Sequence, residues 1–315
     1  MSLVMSLSEE EWMDLLYSIA QKKCTPFIGA GASSFLNEDG KPWLPTGKDI
    51  AKKWAEEYGY PLEESSLAMI AQFLAIEKEE MYPKKILSRE LEETKPPDFS
   101  LEKFRNTPYA VLADLNLPIY ITTNYDHFME ASLESKARAP VSEFCRWNNY
   151  ALLAGIPSVF GKSSKYNPRD NEPLVYHLHG DTSTPQSMVL TESDYVDFLV
   201  KLNSQSEILP SVIVKSLAST SLLFIGYSLQ DINFRTIFRG IMNFLGSRFQ
   251  LSSVAVLLPP TRSSEDKQDK VREYLDKYTE YMFKVHVYWG EASEFSVELR
   301  QRWDKFRTER SRMKI

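Results

Sequence analysis

Six short runs of this chain carry strand signals, and most of them are apolar almost from end to end: "TPFI" at Thr25 to Ile28, then 119–123, 173–178, 222–226, 253–258 and 283–289. A strand with one wet face alternates polar and apolar residues, whereas a strand covered on both faces does not. Between these runs the apolar residues recur at helical spacing, at Ser8–Lys22, Ser193–Leu202, Ile208–Ala218, Asp231–Leu245 and Asp266–Tyr281. That alternation predicts an α/β fold of three layers, α/β/α, with a doubly wound parallel sheet. A second long stretch, about 46–115, shows helical patterns only, broken at Pro83 and Pro96-Pro97, and opens at Thr46 with a cap signal. The 315 residues are therefore expected to form a single domain, 1–315, carrying a mostly helical module at about 46–115.

Composition narrows the function classes. Lys and Arg number 37 against 43 Asp and Glu, and the net charge of −6 repels polyphosphate at long range, so nucleic acid is not an expected partner. The two cysteines, Cys24 and Cys145, lie too far apart for a disulfide framework or a zinc ribbon, which fits a cytoplasmic protein. The start "MSLVMSLSEEEW" lacks a signal-peptide pattern, and no run approaches the roughly 18 apolar residues that cross a bilayer, so no membrane association is expected. The C-terminal "RQRWDKFRTERSRMKI" is basic; it reads as a solvated helix face with Leu299, Trp303 and Phe306 turned inward.

Open parallel sheets bind ligands at the carboxyl ends of their strands, and four unusual clusters stand at predicted strand ends. The first, "GAGASS", spans Gly29 to Ser34. Small residues there let backbone N–H groups approach a pyrophosphate, although a plain tight turn against the sheet would use the same residues. Ser34 fills the third small position of the dinucleotide fingerprint, and Asp49, the acid about 20 residues on, falls inside a helix; a nicotinamide dehydrogenase fits poorly. The second, "TTNYDHF", places Asn124 and Asp126 after a strand. Asp126 suits a helix cap as well as a ligand, while the Asn124 amide offers both a donor and an acceptor for a water or a sugar hydroxyl.

The third cluster, "YHLHGD", carries His177 and His179, which strand alternation would turn to the same face. Histidine takes up a proton near neutrality, and with no other cluster at ligand spacing a metal is not expected. The fourth, "FIGYSLQDINF", contributes Gly226, Ser228 and Asp231, suited to a ribose or phosphate, or equally to a turn and a capped helix. No Gly-x-Ser-x-Gly elbow occurs, and Gly161-Lys162-Ser163 lacks the upstream glycine of a Walker loop.

Taken in order, "FIGAGAS", "ITTNYDHF", "HLHGD", "VLTESDYVDFL" and "LLFIGYSLQDINF" resemble the bacterial sirtuin-like family, which includes NAD hydrolase effectors of anti-phage defence systems such as Thoeris. The matching blocks run from about residue 25 to 240. The resemblance implies a Rossmann-like domain with a small helical module and assigns roles. Gly29, Ala30, Gly31 and Ser33 would cradle pyrophosphate and ribose; Asn124 and His179 would be the catalytic pair; Asp126 would recognise the nicotinamide carboxamide; Gly226, Ser228 and Asp231 would hold the adenosine half. Two features depart from the family's deacylases: the four zinc-binding cysteines are missing, and "LPTGKDIA" stands where they carry a Pro-Asp-Phe-Arg-like segment.

The resemblance thus implies an NAD glycohydrolase with NAD as substrate and no metal, which would release ADP-ribose and nicotinamide. A free depletor of NAD would kill its host, so control is expected through homo-oligomerisation or a separate activating or ATPase protein. An NAD-dependent deacylase or ADP-ribosyl transferase, and a sensor that binds NAD without cleaving it, are the alternative readings.

Overall fold

The computed structural model describes residues 7–37, 40–63, 66–149, 155–161, 164–204, 208–227, 240, 253–258, 270, 272–277, 279–280 and 284–313. Seven strands form one sheet: β1 (Cys24–Ile28), β2 (Ile119–Thr122), β3 (Val141–Phe144), β4 (Leu174–His177), β5 (Ser221–Tyr227), β6 (Ser253–Leu257) and β7 (Val285–Trp289). Their order is β3-β4-β2-β1-β5-β6-β7 and every pairing is parallel. The order reverses between β1 and β5, which makes that junction the switch point of a Rossmann-like three-layer α/β/α fold.

Alternate strand residues feed two separate cores. Ile28, Tyr120, Val175, Leu223 and Val254 belong to one, and Phe27, Ile121, Tyr176, Phe224 and Ala255 to the other. The first is closed by α1 (Glu9–Ala20), α5 (Pro108–Asp114), α6 (Phe128–Glu134) and α9 (Ala292–Met313). The second is closed by α7 (Glu192–Ser204) and α8 (Ser211–Ser219). This double cover is why β1, β2, β4 and β6 are buried along their whole length.

Local rules set the helix ends. Ser8 and Glu11 form a reciprocal capping box on α1, whose Trp12, Leu15, Leu16 and Ile19 are buried. On α9, Leu299, Trp303 and Phe306 turn inward as the sequence predicts. Between β1 and β2 lie α2 (Gly47–Tyr58), α3 (Leu67–Glu77) and α4 (Tyr82–Glu92). They share a third core built on Ile50, Trp54, Ile70, Leu74 and Leu87, to which Met188 and Leu190 are added from the chain after β4. Pro83, read as a breaker, stands in the first turn of α4, where a missing N–H costs nothing. Asp49 is the reciprocal partner of the Thr46 cap, and the Thr46 hydroxyl and backbone hold its carboxylate below the usual range. Of the helix predicted at Asp231–Leu245 only Gly240 is among the described residues; of that predicted at Asp266–Tyr281, residues 270, 272–277 and 279–280 are described, and all are helical.

At the switch point the backbones touch. Gly29 N–H donates to Ile225 O at 2.9 Å. A Cβ on Gly29 would stand 2.6 Å from the Tyr227 ring and 2.8 Å from Gly226 O. Gly226 has φ +82°, and a Cβ there would stand 2.3 Å from Ala32 N. Gly226→Ala therefore combines left-handed strain with overlap against fixed backbone, and we expect it to destabilise the protein by about 3 kcal/mol or more. The midpoint of denaturant unfolding measures this, and a midpoint equal to wild type would show that the two loops are free to separate.

Candidate active site

Three loops leave the sheet at one edge, after the neighbouring strands β4, β2 and β1, beside the end of β5. Register keeps them together: Ile28 pairs with Thr122 and Ile225, and Thr122 pairs with His177. The ladder runs a step further, with Thr123 N–H donating to Ile28 O at 2.9 Å and Leu178 N–H to Thr122 O at 2.8 Å. Gly29, Asn124, His179 and Gly226 are thus neighbours in space, although up to 197 residues of chain separate them.

The first loop makes a 3₁₀ turn, Ala30–Ser33, with Ala30 exposed, Gly31 half-buried and Ser33 buried. The room that its glycines leave is taken by β5 itself. A Cβ on Gly31 would meet Gly226 O at 3.0 Å, and Tyr227 covers Gly29, its hydroxyl bonded to Ile28 O and to Thr123 Oγ1 at 2.9 Å each. Close packing of two loops therefore accounts for Gly29 and Gly31.

Asn124 is buried, and its side chain is held from below. Nδ2 donates to Gly29 O at 3.1 Å and to Tyr109 Oη at 3.0 Å, with Ser33 Oγ at 3.5 Å. Because a carbonyl can only accept, the nitrogen must face Gly29, and this assigns the two ends of the amide chemically. Its Oδ1 makes no hydrogen bond among the described residues.

Behind Asn124 lies a charged cluster. His177 is fully buried, with Nε2 2.7 Å from Glu130 Oε1 and Nδ1 3.2 Å from Asn124 O. Both ring nitrogens face acceptors, so both carry hydrogens and the ring is an imidazolium. Burial opposes that charge, but Glu130 outweighs it and lifts His177 to about 9. Burial likewise favours a neutral Glu130, and His177 with His127 outweighs it, holding the carboxylate well below its usual range. Asp126 is half-buried and accepts from Phe128 N–H, two residues on at the start of α6, at 3.0 Å; burial pushes its carboxyl up to about 6.

His179 sits apart. The chain turns after His177, so the two histidines face opposite cores instead of sharing a face: His177 meets Glu130 of α6, and His179 packs edge-on against Tyr195 and Phe198 of α7 at 5.5 and 5.4 Å. Alternation fails because residues 178 and 179 belong to a turn, closed by Gly180 at φ +79° with Ser187 packed beneath it. His179 is 3% exposed, its Nε2 has no partner among the described residues, and burial pushes its pKa down to about 3. An unpartnered buried nitrogen is costly in a structural role and ready for a ligand in a functional one.

Residues 118–281, just over half of the chain, match the family described as SIR2-like domain. The chain belongs to the SIR2-like family. It is similar to the NAD(+) hydrolase ThsA of Cytobacillus dafuensis, 27% identical over 237 residues, covering 74% of this chain and 41% of that one. Against the proteins of the same name from Enterococcus faecium and Bacillus cereus (strain MSX-D12) the identities are 28% and 24%, over 71% and 70% of this chain and 41% and 40% of theirs. The chain spans about two fifths of the length of these relatives.

Of the residues expected from the family pattern, this SIR2-like chain brings Gly29, Ala30, Gly31, Ser33, Asn124, Asp126, His179 and Gly226 to one edge; Ser228 and Asp231 lie outside the described residues. Tyr109, Glu130 and His127 escaped the sequence reading. Only the i,i+3 pair His127 and Glu130 at the start of α6 offered a local signal. The sequence also showed no further cluster at ligand spacing, yet folding gathers one: a ligand atom each from His127, Glu130 and His177 lies within 4.8 Å of the others. The trio could hold a cation; here Glu130 Oε1 instead receives both rings and the Ser142 hydroxyl, at 2.7, 3.3 and 2.6 Å.

The pair sets a pH window. His177, raised from 6.5 to about 9, contributes fully below about 6.5 and loses its contribution as pH rises through about 9. Glu130 contributes above about 4.5 and loses it as pH falls towards its depressed value. The thermal midpoint should therefore fall from pH 6.5 to 9. In Glu130→Gln, which breaks a buried pair at a cost of about 3 kcal/mol or more, the midpoint should be lower and flatter across that interval. Parallel curves for the two proteins would refute the assignment.

Proposed function

We propose that this chain cleaves the bond between nicotinamide and ribose in NAD, giving ADP-ribose and nicotinamide. One observation carries the reading. Asn124 with its free Oδ1 and His179 with its unpartnered Nε2 stand at the ends of adjacent strands, at the switch-point edge of a SIR2-like domain whose relatives are named NAD(+) hydrolases.

The bond breaks through an oxocarbenium-like sugar, so the protein's task is to hold the ribose, exclude bulk water and place one water. Asn124 Oδ1 accepts a hydrogen bond from that water or from a ribose hydroxyl. The neutral His179 accepts a second, and the charges of a bound pyrophosphate raise its low proton affinity. Asp126 takes the carboxamide N–H of nicotinamide, for which its ionised form is the better acceptor. The exposed Ala30 and the half-buried Gly31 are the parts of the first loop open to pyrophosphate; the family pattern gives Gly226, Ser228 and Asp231 to the adenosine half.

No step of this scheme calls on a metal. As in the family pattern, we place the activity in anti-phage defence, as an NAD-depleting effector controlled by self-association or by a second protein.

Incubation with NAD and no peptide, followed by mass spectrometry, tests the proposal: nicotinamide and ADP-ribose should form, and Asn124→Ala and His179→Ala should each lower the rate by about 10² to 10⁴. Rates equal to wild type in both variants would refute it. A second expectation concerns pH. With His179 near 3 and Asp126 near 6, kcat/KM should rise through about pH 6 and show no other inflection up to pH 8, and Asp126→Asn should remove the inflection.

A further inference from the structure

We propose that Tyr109, on α5, is a positioning residue that commits Asn124 to presenting only its carbonyl oxygen to the substrate and leaves the Ser33 hydroxyl as the matching donor. The inference rests on the reading of Asn124 as the group that holds ribose or water.

It follows from counting hydrogens. The Asn124 amide has two on Nδ2, and Gly29 O at 3.1 Å and Tyr109 Oη at 3.0 Å accept one each. The Tyr109 hydroxyl has one hydrogen and two neighbours, Asn124 Nδ2 and Ser33 Oγ. An amide nitrogen cannot accept, so that hydrogen goes to Ser33 Oγ, 2.7 Å away. Ser33 Oγ then receives from Tyr109 and faces Nδ2 at 3.5 Å, also a donor. Its own hydrogen is the one that the network does not consume. Two groups are left over, an acceptor on Asn124 and a donor on Ser33. Together they complement a group that both donates and accepts, a hydroxyl such as one of ribose or a water, and they complement a bare carbonyl or an ammonium poorly.

Tyr109 is built for this. It is 1% exposed, and burial, with the charge of Asp126, keeps its hydroxyl neutral. Phe99, Phe128 and Phe35 surround its ring, with centroids at 6.0, 5.8 and 6.3 Å. Without the hydroxyl, the second hydrogen of Nδ2 keeps only the long contact to Ser33, and Ser33 loses the donor that turns its own hydrogen outward.

Tyr109→Phe keeps the ring and removes the hydroxyl. We expect kcat for NAD cleavage to fall about ten- to hundredfold and KM to rise by up to about tenfold, at a thermal midpoint within a few degrees of wild type. Phe99→Leu, which loosens the same aromatic packing and touches none of the polar groups, should lower the midpoint and leave kcat intact. Tyr109→Phe at full kcat, with Asn124→Ala inactive, would overturn the positioning role and spare the functional reading. Asn124→Ala at full kcat would remove that reading and this inference together. So would equal losses of kcat in Tyr109→Phe and Phe99→Leu dispose of the positioning role, since packing alone would then explain them. Should wild type not turn over, calorimetric binding of ADP-ribose carries the test. Binding about tenfold weaker in Tyr109→Phe supports the inference, whereas equal binding, or no binding by wild type, overturns it.

Discussion

A charged pair with almost no access to water holds the candidate site in register. Glu130 comes from α6 and His177 from the end of β4, and the same imidazolium reaches the backbone carbonyl of Asn124. Three segments, the end of β2, the end of β4 and the start of α6, are thereby fixed to one another. Removing one partner leaves an unpaired charge in a low-dielectric interior, so a half-formed version of this arrangement is not stable. The pair lies beside the residues proposed to handle the sugar.

Around that pair, the edge of the sheet divides into saturated and unsaturated polar groups. Thr123, Tyr109 and the amide nitrogen of Asn124 are committed to the protein. Asn124 Oδ1 and His179 Nε2 have no partner among the described residues. A buried polar atom without a partner is costly, and at this edge the His179 nitrogen is such an atom, which a ligand beside Asn124 Oδ1 would satisfy. The helical module bears on the same edge: the Ser88 hydroxyl donates to Thr182 O at 2.7 Å, and Tyr125, next to Asn124, packs on its core and donates to Val189 O. Lys84 pairs with Asp194 at 2.9 Å, tying α4 to α7. Any displacement of α2 to α4 is therefore felt one residue away from the proposed catalytic amide.

Legibility varied with how local each cause was. The capping box of Ser8 and Glu11 and the buried stripe of α9 are written within a few residues and were readable as such. β3 was not: it has four residues, of which only two are buried, and it follows a helix without any apolar run. The pairing of His177 with Glu130 joins residues 47 apart, and nothing at either position announces the other. The glycines at 29 and 31 were legible as a place of close approach, but not what approaches, which is the end of β5.

The sequence by itself determined the layered α/β architecture, because short apolar runs that alternate with helical patterns fit strands covered on both faces, and it determined that polar and small residues gather where those strands end. Only the tertiary structure decided which hydrogen-bonding atoms at that edge remain free. A donor or acceptor is consumed by partners such as Gly29 O, Tyr109 Oη and Ser33 Oγ, which lie 95, 15 and 91 residues from Asn124. The balance left for a ligand is thus a property of the fold and of no single stretch of chain.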